Sequence, residues 1–526
     1  IDEASLMFMI DGLPKGNVME KYFSLLKALY NQANTAGNYL SGFTRYMNEF
    51  MVPYLLATNY FSTAEIGKMP KTHPMEGLIS YAELMHFNHD VGSRAIISSM
   101  KAMNDFGNME LQKALDALFN TVFNRKDENG GNAGIVAFME RQAMMTEMLV
   151  RGYPQAIEEI ASEYGFGFER GENRKVMETD RFILYQILPI DPATEVRADG
   201  KPILILPPYV LGANILGFLP RENRSYAHCF ANMGIPTYIR IMKEIATTPA
   251  VQLATGEDDT RDTRFFCEKI MERHGKPVTL NGYCQGGYVA VCSLLSGELD
   301  DVVDALITCV SPMDGTRSQG FKDFFGPLPG RFNDLMYGTK TLTNGNSVGD
   351  GTLMGWVYKL KSIDVEFPVV SFLRDLAMFR PRNGKTPKVG KTAAAINYWL
   401  QNERCDLPLA VTRMSFDSYN TPVTGDGTLP VKLFDRPLNF KRIQEKGTPW
   451  LICYGEKDDL VEKETALAPL DYVDAEVAPF PKGHVAIATS WSNPTSECAL
   501  HACFGDASHR GPVRFQLDLD RSMSRS

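Results

Sequence analysis

The chain of 526 residues is longer than one average domain, and at about 150 residues per domain it has room for two to four units with sizeable cores. Its 44% hydrophobic and 22% charged residues are those of a globular protein, which excludes fibrous and disordered classes. A net charge of −9, from 54 basic and 63 acidic residues with no long Lys/Arg run, argues against nucleic acid and anionic membrane surfaces as partners.

From about Val18 to Tyr153 apolar residues recur at helical spacing, as in Leu111, Leu115, Leu118, Phe119 and Val122. Asn129-Gly130-Gly131-Asn132 breaks one helix from the next. The pattern predicts a helical N-terminal region over residues 1–178, with its many Met residues as flexible core filler. From about Thr179 short apolar runs alternate with amphipathic segments of roughly ten to twenty residues. The runs are Phe182–Leu188, Ile203–Leu206, Thr237–Ile241, Val278–Leu280, Ala305–Val310, Trp450–Tyr454 and Ala475–Phe480. Continuous rather than alternating apolar strands are expected where helices cover both faces of a parallel sheet, so an α/β domain with a mostly parallel sheet flanked by helices is expected over 179–494. Between Asp314 and about Gly447 the alternation stops, and turn-rich pieces such as Thr343-Asn344-Gly345-Asn346 interleave with aromatic helical ones. An insertion of that size, about 315–447, reads as a cap over a site. The tail, 495–526, carries no apolar periodicity and is unassigned.

The nine cysteines stand singly, without a CxxC pair, so neither a zinc site nor a disulfide scaffold is expected, and no metal. Several, such as Cys453, lie inside apolar runs that read as buried strands, and a reducing cytoplasm fits them best. No run approaches the roughly 20 apolar residues that cross a bilayer, so no transmembrane segment is expected. The start, Ile1-Asp2-Glu3, is acidic where a signal peptide is basic.

The strongest local signal is Val278-Thr279-Leu280-Asn281-Gly282-Tyr283-Cys284-Gln285-Gly286-Gly287, followed by a helix-like Tyr288–Cys292. A strand, a sharp G-x-nucleophile-x-G turn and a helix form the nucleophile elbow of the α/β-hydrolase fold, here with Cys in place of Ser. The turn is so tight that side chains at Gly282 and Gly286 would collide with the neighbouring strand and helix. A thiol at the start of a helix gains from the positive end of its dipole and from a nearby His, both of which favour thiolate. Taken alone, the turn also reads as a glycine-bounded bend with an inert buried Cys.

Its partners decide between the two. In this fold the chain order is nucleophile, acid, His. Pro449–Gly455 is an apolar strand leading into Glu456-Lys457-Asp458-Asp459-Leu460-Val461, which puts a carboxylate at the strand's end. A second short strand leads into Pro481-Lys482-Gly483-His484, which puts an imidazole on the next loop. Asp458 is preferred as the acid because it comes first after the turn; Asp459 and Asp314 are the competitors. An oxyanion hole needs one N–H from the residue after the nucleophile and one from the loop after an early strand. Gln285 supplies the first, and Val210 is the candidate for the second because Pro208 has no N–H.

These residues together resemble the polyhydroxyalkanoate synthase family. Pro202–Val210 followed by Ile215–Ser225 looks like that family's apolar strand leading into Pro-Pro-aromatic and then an Asn-Ser stretch. Gly-Tyr-Cys-Gln-Gly-Gly resembles its cysteine-bearing lipase-like box, and Asp458–Val461 and Gly483-His484-Val485 resemble its acid and His motifs. Asn397-Tyr398-Trp399 and Asp406-Leu407-Pro408 are similar to a family stretch carrying Trp-Asn and Leu-Pro. The chain departs from the family at Asp459, where a His is usual, and at Tyr209, where a Trp is usual.

The resemblance implies an acyltransferase that polymerises 3-hydroxyacyl-coenzyme A through a covalent acyl-Cys284 intermediate and releases coenzyme A. It further implies no cofactor beyond that coenzyme A thioester, a growing polyester chain as second ligand, and a homodimer active at a granule surface. Two rivals stay open: a Cys-dependent polyester depolymerase or thioesterase on the same scaffold, and a non-catalytic granule-associated protein, since fold does not guarantee function.

Overall fold

Each of the apolar runs read from the sequence forms a strand in the computed structural model, which describes residues 18–68, 74–123, 134–320, 322, 338–381 and 387–523. In chain order the main strands are Arg174–Glu178 (β1), Phe182–Ile187 (β2), Ile203–Leu206 (β3), Thr237–Met242 (β4), Val278–Tyr283 (β5), Val303–Cys309 (β6), Trp450–Gly455 (β7) and Glu476–Phe480 (β8). The innermost, β3 and β5, are buried at each residue, as their unbroken apolar composition requires. The additional strand β1 is polar and mostly exposed, a sheet edge that charged residues protect from further pairing, and so lacks the apolar signal.

The eight strands form one sheet in the order β1-β2-β4-β3-β5-β6-β7-β8. β2 runs antiparallel to both its neighbours, and all other pairings are parallel. This mostly parallel order with intervening helices is the α/β-hydrolase fold.

The chain divides into two compact units, Ile1–Ile160 with Trp356–Asn397, and Ala161–Gly355 with Tyr398–Ser526. The boundary expected at 178 therefore lies at 160, and the insertion expected as one block at about 315–447 is shared between the units.

The first unit is built on two long helices, Val18–Lys68 (α1) and Pro74–Val122 (α2), and the shorter Ile135–Glu147 (α3). Along α2 the buried positions include Leu84, Phe87, Val91, Ala95 and Ser99, a stripe at helical spacing. The stripe formed by Leu111, Leu115, Leu118 and Phe119 predicts the helix correctly, yet these side chains are exposed, as are Met75, Met85, Met100 and Met103, expected as core filler. The break expected at Asn129–Asn132 lies outside the described residues. From Pro368–Met378, Phe372 receives the edges of Tyr39, Phe43 and Tyr46, and Tyr46 donates to Asp375 at 2.7 Å. Among the described residues no helix is long and apolar enough to cross a membrane.

In the second unit, Gly256–His274 (α4) and Gln285–Leu295 (α5) cover the sheet, placing Phe266, Ile270, Val289 and Cys292 in one apolar cluster with Leu204, Leu280 and Leu306. The hairpin Thr428–Leu433 and Arg436–Asn439, from the end of the insertion, adds Leu429, Val431, Leu433 and Leu438 to that cluster. Leu409–Asn420 (α6) precedes it, and Pro512–Met523 (α7) closes the chain.

The tail is a correction to the patternless segment expected there. Val513, Gln516 and Asp520 on α7 are buried, at a helical spacing that the polar identities of Gln516 and Asp520 conceal. Gln516 donates to the Lys201 carbonyl at 3.0 Å, and Asp520 accepts from the Lys201 N–H at 2.8 Å, Lys276 at 2.9 Å and Arg197 at 2.6 Å, at the entry to β3. Burial alone would raise the Asp520 carboxyl, but Lys276, the Lys201 N–H and Arg197 hold it below its ordinary value. A carboxylate lowered in the folded state contributes stability above its unfolded pKa, and that contribution is lost as pH falls through the folded one. Asp520→Asn is expected to lower unfolding free energy by about 1–3 kcal/mol at pH 7, less than a fully buried pair because Arg197 and Lys276 reach solvent. Urea denaturation checks this, and the gap between the two proteins should close as pH is lowered through the carboxylate range.

Candidate active site

β5 delivers Cys284 at the point where the chain turns into α5, and the turn works only because its neighbours lack side chains. A Cβ on Gly282 would collide with the backbone of Gly287, and one on Gly286 with the carbonyl oxygens of Leu206 and Pro207. Both elbow glycines expected from the sequence are therefore sterically required. Cys284 itself has φ 53° and ψ −126°, and its N–H donates to the Cys309 carbonyl on β6 at 2.8 Å. Its thiol is partly exposed at the start of an 11-residue helix, whose first N–H groups lack intrahelical partners.

Asp458 lies in the turn after β7, its side chain fully buried. Oδ1 accepts from the backbone N–H groups of Leu460 at 2.9 Å and Val461 at 2.8 Å, which leaves Oδ2 to meet His484 Nδ1 at 2.7 Å. Asp459 points outward and is exposed. Asp314 caps the short turn Gly315–Arg317, accepting from the Thr316 N–H and hydroxyl and from Arg317 Nε at 3.2 Å, and so is committed elsewhere. Of the three carboxylates weighed on sequence, Asp458 is the one that meets the His484 ring.

His484 follows β8 on a loop that lies against the turn after β7: the Lys457 N–H donates to the Lys482 carbonyl at 3.3 Å. Tyr283, to which the elbow motif assigns no role, anchors this loop. The Tyr283 hydroxyl donates to the His484 carbonyl at 2.9 Å, and its ring stands edge-on to the imidazole at 86°. Burial opposes charge on His484, but the Asp458 carboxylate and the Cys284 sulfur outweigh it and raise the imidazolium well above its ordinary range. The Cys284 sulfur is close enough to bear on that charge.

Gln285 opens α5, with its side chain held by Ser415 of α6 at 2.9 Å. Val210 lies on the loop after β3, which the contacts at Gly286 place against the elbow. The preceding Tyr209 explains a feature local sequence could not: its hydroxyl donates to Asp259, itself paired with Arg240 at 2.8 Å, all three buried. The partners lie 50 and 31 residues away in sequence, so no local motif joins them. No cluster of three His, Cys, Asp or Glu fit to hold a metal occurs among the described residues.

A scan against protein-family models matches none, and no curated protein matches the sequence. Solved structures do overlap with the chain. Naproxen esterase from Bacillus subtilis has 14% identity over 64% of this chain and 92% of its own, with a TM-score of 0.33. A thermophilic esterase from Thermogutta terrifontis has 12% identity over 67% of this chain and 98% of its own, with a TM-score of 0.31. A carboxylesterase structure from Nitrososphaera gargenis has 12% identity over 60% of this chain and 92% of its own, with a TM-score of 0.34. It is the strand order rather than these overlaps that defines the fold.

The His484 charge gives a direct check. In Asp458→Asn the largest opposing negative charge is gone, so the ring should titrate at lower pH than in the unaltered protein. Side-chain nitrogen shifts followed by NMR against pH read this, and an unmoved titration would dissociate the two residues.

Proposed function

We propose that the protein is an acyltransferase in which Cys284 is the nucleophile, His484 its acid and base, and Asp458 the residue that orients and stabilises the imidazolium. The observation that carries the reading is the Asp458–His484 hydrogen bond, beside a Cys284 sulfur close enough to favour charge on the ring. The substrate class follows from the resemblance of the elbow, acid and His segments to polyhydroxyalkanoate synthases: a 3-hydroxyacyl-coenzyme A. The same reading includes a homodimer working at the surface of a polyester granule.

In the first half-reaction the thiolate attacks the thioester carbonyl, and the oxyanion is held by the N–H groups of Gln285 and Val210. Coenzyme A leaves and takes its proton from the His484 imidazolium. In the second, now neutral His484 removes a proton from the hydroxyl of another hydroxyacyl unit, whose oxygen attacks acyl-Cys284. The new ester forms, Cys284 leaves as thiolate, and His484 is again protonated. A thiol suits this cycle because exchange between thioesters is nearly isoenergetic, so an acyl group passes on and off the enzyme without a deep trap.

The test is coenzyme A release from 3-hydroxybutyryl-coenzyme A, followed by product analysis. Cys284→Ala and His484→Ala should abolish release, and Asp458→Ala should leave a residue of activity, reduced by roughly 10²–10⁴. Polymer as product supports the transferase; free hydroxy acid alone would make the protein a thioesterase on the same machinery. Undiminished release by Cys284→Ala would reject the mechanism.

A further inference from the structure

The loop after β3, Pro207–Asn214, is gripped by one short segment, Trp399–Cys405. The Trp399 indole N–H donates to the Leu211 carbonyl at 2.9 Å, and the Cys405 N–H reaches the Val210 carbonyl at 3.4 Å. Glu403 Oε1 accepts from Asn214 Nδ2 at 2.8 Å, while Asn214 Oδ1 accepts from the Phe166 N–H at 3.2 Å. The other Glu403 oxygen lies against Gly212, which has φ +69°; a Cβ there would stand 2.7 Å from it. Arg404 lays its guanidinium over the Trp399 ring, 5.5 Å from its centroid.

Two features separate this from ordinary packing. The grip falls on backbone carbonyls and on a positive-φ glycine, so it sets the direction of peptide planes rather than filling space. Glu403 is also an acid that the proposed chemistry does not use. Burial raises its carboxyl to about 7, with the Asn214 hydrogen bond and Arg404 pulling the other way, and either protonation form can accept from the Asn214 amide. On the other side, the Tyr209 hydroxyl is anchored at Asp259, so the Val210 N–H is bracketed between a fixed side chain before it and a fixed carbonyl after it.

We propose that Trp399 and Glu403 are positioning residues that hold this loop so that the Val210 N–H is aimed at the oxyanion over Cys284. The inference rests on the reading of Cys284 as nucleophile, and it deepens that reading by naming what orients the second oxyanion donor.

Two reactions of the full chain discriminate. Coenzyme A release passes through a tetrahedral oxyanion, whereas alkylation of Cys284 by iodoacetamide does not and needs no hole. Trp399→Phe keeps a ring beneath Arg404 and removes the donor; Glu403→Ala removes the acceptor, and Glu403→Gln restores one for Asn214. Trp399→Phe and Glu403→Ala should lower kcat for release roughly 10–100-fold with KM within about twofold, because the lost interaction acts on the transition state. Alkylation rate and denaturation midpoint should match the unaltered protein, and Glu403→Gln should recover most of the rate. Unchanged kcat in both variants would overturn the proposal, as would release and alkylation falling together, the mark of a merely structural role. No release by the unaltered protein, or full release by Cys284→Ala, would instead remove the nucleophile reading, and this inference with it.

Discussion

The close approach of β3, β5 and α5 at the elbow is the constraint on which the candidate site depends. A residue with a side chain held at φ 53° and ψ −126° stores strain of about 1–3 kcal/mol, and it persists only where its surroundings over-determine it. Here they do. Every residue of β5 and of α5 is buried, the Cys284 N–H is bonded to β6, and the Gly287 N–H returns to the Cys284 carbonyl at 2.9 Å. The neighbouring strand end shares the distortion: Val310, β-branched and fully buried, has φ 45° and donates to the Cys453 carbonyl of β7 at 2.8 Å. The ladder β5–β6–β7 thus holds two strained residues side by side, and the thiol emerges at the same sheet end as the loops that carry Asp458 and His484.

From that placement the electrostatics follow. An unpaired carboxylate buried like Asp458 would cost several kcal/mol, but the Leu460 and Val461 N–H groups satisfy one oxygen and His484 the other. Because Oδ1 is committed, Oδ2 faces Nδ1 and fixes which ring nitrogen is left toward the sulfur. Tyr283 closes the arrangement mechanically. It is the residue immediately before Cys284, and its hydroxyl holds the main chain of His484, which ties the elbow to the His loop.

What could be read from sequence was whatever is local and apolar. Strands β2 to β8 announce themselves as apolar runs, and the elbow as glycines around a cysteine, because burial on both faces and a bend without room for Cβ leave a signature within ten residues. The chain order of Cys284, Asp458 and His484 was legible for the same reason. What escaped is polar or long-range. β1 is a polar edge, and α7 hides its buried stripe behind Gln516 and Asp520. The exposed Leu111–Phe119 stripe shows the converse: periodicity marks a helix without saying what covers its apolar side. Tyr209 stood out in sequence only as a departure from a Trp, and its reason, a hydrogen bond to Asp259, spans 50 residues.

That departure bears on why a charge pair is buried here at all. Arg240 and Asp259 are 2% and 1% exposed, and such pairs add little net stability once desolvation is counted; well-packed apolar residues would often serve as well. An apolar pair, however, could not receive a phenol hydroxyl at a defined point. The Tyr209 hydroxyl meets Asp259, and Arg240 in turn donates to the same carboxylate and toward the phenol oxygen at 3.3 Å, so the ring is fixed in direction as well as in depth. What the ion pair contributes is therefore orientation of the chain one residue before Val210, the residue proposed to supply the second oxyanion N–H.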